Sequence, residues 1–133
     1  MVRNAICLLS ASVIFCSLGC GPAEVKPPPT APVKGTVTLG GQPMASGEVV
    51  FSVSGQPVKQ IPVTNGTFAG EANIGKNRVE VNSYKESAAT SGLSTDTVHK
   101  QNIVADQFAG NSTLTAEVTA AGPNEFKFDV TAK

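Results

Sequence analysis

The chain has 133 residues, room for one ordinary domain. Ten Lys and Arg balance ten Asp and Glu, so no basic stripe is available to follow a phosphate backbone, and nucleic acid is set aside as a partner. Thirteen glycines and nine prolines among many Val and Thr argue for short strands joined by turns.

Residues 1–20 have the three parts of a secretory signal, of which 1–19 would be the cleaved peptide. Arg3 supplies the positive start, residues 5–18 carry no charge, and Ser17, Gly19 and Cys20 mark a small-residue exit. Those fourteen uncharged residues are too few to cross ~30 Å of hydrocarbon, which takes about 20. Leu18-Gly19-Cys20 resembles a bacterial lipobox. The resemblance implies cleavage between Gly19 and Cys20 and attachment of lipid to the Cys20 thiol. Ser17 stands where a lipobox usually carries a large aliphatic residue. Cys16, preceded by Ile14 and Phe15, is the alternative acceptor, and ordinary secretion is the alternative to anchoring. All three cysteines lie within residues 1–20. A cut before Cys20 removes Cys7 and Cys16, leaving the mature chain neither a disulfide nor a cysteine metal site. Residues 20–32 then read as the lipidated cysteine and a linker. Pro27, Pro28 and Pro29 favour a stiff polyproline II spacer.

From Val33 the pattern turns to period two. Residues 33–39 place Val33, Gly35, Val37 and Leu39 on one face and Lys34, Thr36 and Thr38 on the other, a half-buried strand. Gly40-Gly41-Gln42-Pro43 is a turn. Residues 48–54 form a second strand, with Val49, Phe51 and Val53 inward. Residues 59–63 form a third, interrupted by Pro62. Asn65-Gly66 is a two-residue hairpin signal, and Thr67-Phe68-Ala69 follows it. Residues 77–82 turn Val79 and Val81 inward; residues 113–119 align Leu114, Ala116 and Val118. Residues 125–130 close the pattern with Phe126, Phe128 and Val130 inward and Lys127 and Asp129 outward. No stretch has a helical period. Seven one-sided strands predict an all-β, antiparallel sandwich over residues 33–131, its core built on Phe51, Phe68, Phe126 and Phe128.

"VKGTVTLGGQPMASGEVVF" and "TNGTFAGEANIGKNRVEV" together resemble the carboxypeptidase regulatory-like domain, a seven-stranded transthyretin-like (prealbumin-like) Greek-key sandwich. Gly35, Val37, Pro43, Val49, Phe51, Asn65, Gly66, Phe68, Gly75, Lys76 and Val79 fill the positions of its pattern. Asn77 stands where an aromatic is usual. The ending of the chain is similar to short bacterial envelope lipoproteins built on this module. The resemblance implies a fold and an envelope address rather than an activity, because most members are accessory modules.

No catalytic set emerges. His99, the single histidine, has Ser91, Ser94 and Asp96 as sequence neighbours in a polar stretch, and a triad requires convergence in space. One histidine and one lipidated cysteine cannot build a zinc site. Asp96 and Asp106 lack the spacing of a calcium loop. No metal or cofactor is expected. Residues 83–102 are long for a loop of a sandwich, so Tyr84, Asp96 and His99 are the candidate binding residues. The sequence therefore predicts a non-enzymatic module, lipid-anchored on the periplasmic or outer face of the cell envelope, with a structural or interaction role. Its partners would be the membrane, through the lipid, and an envelope protein or glycan. The alternative is a soluble periplasmic or secreted module that binds glycan or peptide.

Overall fold

The computed structural model describes residues 26–88 and 98–133. The signal segment, Cys20 and Asp96 lie outside those residues. The fold is all-β, with no helix among the described residues. In chain order the strands are β1 (Thr30–Leu39), β2 (Gln42–Pro43), β3 (Ser46–Ser52), β4 (Lys59–Thr64) and β5 (Thr67–Asn73). Then come β6 (Gly75–Asn82), β7 (Tyr84–Ala88), β8 (Val98–Asn102), β9 (Thr115–Val118) and β10 (Glu125–Val130).

One sheet runs β10-β1-β5-β4-β3-β6-β9, with β2 paired to β1. It is antiparallel except where β10 lies parallel to β1, from Lys34 opposite Glu125 to Leu39 opposite Val130. The expectation of a wholly antiparallel seven-stranded sandwich is corrected at this pair. The first and last strands have no short connection to dictate an antiparallel hairpin. The sheet curls on itself. Four strand spacings separate β10 from β3, about 19 Å on a flat sheet. Yet the Phe51 ring on β3 lies 6.0 Å from that of Phe126 and 6.4 Å from that of Phe128, both on β10. The bend falls between β4 and β5, which pair only at Val63–Phe68 and Thr64–Thr67. On either side of this short ladder, β5 follows β1 and β4 follows β3 into two facing layers.

The Asn65-Gly66 hairpin forms as the sequence predicts. Both residues take positive φ, 50° and 76°, as a type I′ turn requires. Phe51, Val37, Val49, Val79 and Val81 are fully buried, and Phe68 and Phe128 nearly so. Phe126 is half-buried against this core. Met44 and Val104 are also buried, although neither falls on an alternating segment.

Two prolines behave differently from the sequence reading. β1 begins at Thr30, three residues earlier than the period-two pattern. It takes Pro32 into its pairing with β5, opposite Glu71. The Pro32 carbonyl accepts from Asn124 Nδ2 at 3.0 Å. The backbone polar groups of Pro32 therefore point away from β5, where a missing N–H removes no ladder bond. Residues 30–32 belong to the strand rather than the linker, and Ala31 is buried. Likewise Pro62 does not interrupt β4, which continues through it to Thr64.

Candidate functional site

Tyr84 and His99 do not lie in an irregular loop. They sit on a separate two-stranded ribbon of β7 and β8, in register from Tyr84 opposite Asn102 to Ala88 opposite Val98. Side chains alternate along each strand. Tyr84, Glu86, Lys100 and Asn102 therefore share one face, while Lys85, Ser87, His99 and Gln101 share the other. His99 pairs with Ser87, so the ribbon holds Tyr84 and His99 on opposite faces. Both are exposed. The two are not brought together into one site, and the candidates Gly19, Cys20 and Asp96 lie outside the described residues.

The root of this ribbon is a hydrogen-bonded junction that sequence reasoning missed. Asn102 donates from Nδ2 to Asn82 Oδ1 at 2.8 Å. Its Oδ1 accepts from the backbone N–H of Ser83 at 3.2 Å and of Val104 at 3.1 Å. Ser83 donates from Oγ to the Ser46 carbonyl at 2.8 Å. One amide thus ties the end of β8 to the end of β6, and Ser83 ties both to β3. Beyond this root the ribbon is wet on both faces. Tyr84 and Val98 are 47 % and 56 % exposed, and Glu86 pairs with Lys100 at 3.2 Å.

A second surface lies on the outer face of β10 and β1. Lys34 pairs with Glu125 at 2.6 Å and Lys127 with Asp129 at 3.6 Å. Thr38 donates to Asp129. That hydrogen bond, with the charge of Lys127 added, holds the Asp129 carboxyl below its usual value of 3.8. Its stabilising effect is present above that value and is lost as pH falls through the lowered one. Two shallow hollows of about 390 and 550 Å³ adjoin on this face, sharing Lys34 and Ala69.

Neither surface assembles a reacting pair. The buried serine hydroxyls are used structurally: Ser83 bonds Ser46 and Ser112 bonds the Val79 carbonyl. Among the described residues no three His, Cys, Asp or Glu side chains stand together in a metal-holding group. Asn77 is buried and donates to the carbonyls of Asn73 and Gly75 at 2.8 and 2.9 Å. It serves the connection from β5 to β6.

Compared with known proteins, the chain matches no family model, no curated protein and no solved structure.

Proposed function

We propose that this chain is a non-enzymatic β-module of the carboxypeptidase regulatory-like type, tethered by lipid at Cys20 to the cell envelope and used for interaction. The observation that carries this reading is the order of its first third. Leu18-Gly19-Cys20 closes an uncharged run, a proline-rich stretch follows, and β1 begins at Thr30. An address, a spacer and a folded body follow one another with almost nothing between. The non-enzymatic part is supported by the two faces of the ribbon, which keep the single histidine away from Tyr84, and by the structural use of Ser83 and Ser112. The interaction part is supported by the ribbon itself, rooted through Asn102 and carrying exposed Tyr84 and Val98 on one face.

Two or more acyl chains give stable anchoring, each buried CH₂ contributing about 0.8 kcal/mol. Cys20→Ser should therefore move the protein from the membrane fraction to the soluble fraction of cells. Mass spectrometry of the mature N-terminus should find an acylated Cys20 in the parent protein only. A Cys20→Ser protein that still partitions wholly with membranes would overturn the tether.

A further inference from the structure

We propose that the end of the fold where β1 begins is a base that rests on phospholipid headgroups, with the β7–β8 ribbon directed away from that membrane. The inference builds on the lipid tether at Cys20 proposed above.

The topology gathers this base from distant parts of the chain. Thr30, which opens β1, pairs with Asn73, which ends β5. Gly75, which opens β6, pairs with Val118, which ends β9. Lys59, which opens β4, pairs with Phe51 near the end of β3. The connections at this end are therefore residues 53–58, 74 and 119–124. Each is held in place. Asn73 Nδ2 donates to the Pro57 carbonyl at 2.7 Å. Asn124 Nδ2 donates to the carbonyls of Pro32 and Thr119 at 3.0 and 2.9 Å. The Pro29 carbonyl accepts from Ile74 N at 3.1 Å, so the chain enters the fold through this same end.

Chemistry then selects the occupant. Residues 53–58, 74 and 119–124 contain no Asp, Glu, Lys or Arg, and neither do residues 27–33. Val58 is 57 % exposed, and Ala120, Ala121 and Pro123 are exposed. A charge pressed against a bilayer loses water at a cost, and these connections carry none. Lys26, Lys59 and Lys76 stand around them, and none forms a salt bridge among the described residues. The acids at that level are matched: Glu125 pairs with Lys34, Glu117 lies opposite Lys76, and Glu71 accepts from Thr30. Lys26 and Lys59 are left to meet anionic phosphates. An uncharged, partly apolar surface with a basic edge suits the membrane interface.

Length sets the orientation. Ten residues lead from Cys20 to Thr30, a reach of at most ~35 Å. The ribbon starts beyond Asn82, at the other end of β6, about 25 Å from the base. A weak contact suffices, because the tether keeps the base at high local concentration beside lipid. Tyr84 and Val98 then stand on the side away from the anchoring bilayer, where a partner reaches them.

The experiment uses the mature acylated protein in vesicles of phosphatidylethanolamine and phosphatidylglycerol. With Cys20 blocked by its lipid, a fluorophore is placed at Ser54→Cys in the base or at Gln101→Cys on the ribbon. Quenching by a lipid with a headgroup nitroxide is read beside co-flotation. The Ser54→Cys label should be quenched the more strongly. Tethering alone also favours the base, so the deciding comparison keeps the tether and changes the surface. Val58→Glu with Ala121→Glu should lower the docked population about tenfold or more, by desolvating charge and repelling phosphate, and should remove most of the excess quenching. Val58→Leu should increase it. Gln101→Glu, an equal charge on the ribbon, should leave the Ser54→Cys signal unchanged. All these positions are exposed, so the fold is not at stake. Excess quenching indifferent to the paired Glu substitutions, in protein that still co-floats, would overturn the base and leave the tether standing. Protein that fails to co-float would overturn the tether and the base with it.

Discussion

Gly35 lies between two aromatic residues, opposite Phe68 on β5 and Phe126 on β10. A Cβ there would overlap the Phe126 carbonyl and come within 2.8 Å of the Phe68 ring. The missing side chain is what lets β10 close on β1 beneath the phenylalanine cluster. Because the obstacle includes backbone, Gly35→Ala should cost about 3 kcal/mol in urea unfolding, the upper end of ordinary overpacking. Gly110→Ala is the control. Nothing lies within 4 Å of its would-be Cβ, and its effect should stay within about 0.5 kcal/mol. The period-two pattern places Gly35 among the inward positions, which is correct. Its reason for being glycine was not legible, since close approach depends on strands brought together from distant parts of the chain.

At the scale of elements, seven strands were legible because each buries one face and so writes an alternating pattern. The β7–β8 ribbon was not. Both of its faces meet solvent, so no alternation marks it, and its Ser, Glu, Lys and Gln read as loop. Its order comes from the root instead, where Asn102 serves as acceptor twice and donor once. Asn102→Ala should leave the N–H groups of Ser83 and Val104 without that acceptor, at a net cost of about 1–3 kcal/mol. The effect should be local. Hydrogen exchange should accelerate about tenfold or more at β7 and β8 amides through sub-global opening, while β3 and β6 amides keep protection close to that of the parent protein. Equal acceleration everywhere would mean that Asn102 supports the whole fold rather than the ribbon. The prolines teach a related lesson. The rule that proline breaks a ladder concerns the direction of one N–H, and a sequence does not state whether Pro32 faces β5 or the Asn124 side.

For the whole molecule, the all-β class followed from the summed patterns, and the four core phenylalanines from their places on them. The parallel closure of β10 on β1 did not, because pairs such as Thr38 and Asp129 are 91 residues apart and leave no local mark. That closure puts the phenylalanines where they meet. Phe51 on β3 touches Phe68, Phe126 and Phe128 from the facing layer, with centroids 6.0–6.4 Å apart, and is itself fully buried. The β4–β5 ladder joins the layers through only two pairs, so their adhesion depends mainly on the buried core in which this cluster sits. Phe51→Ala should cost ~3–5 kcal/mol, a large part of the ~5–15 kcal/mol expected for a domain. Far-ultraviolet circular dichroism should show the melting midpoint falling by at least about 12 °C. The transition should remain single, because neither layer has another apolar surface to cover the face that Phe51 leaves. Loss of β10-β1-β5 in a separate earlier step would show instead that one layer holds its own fold without the other.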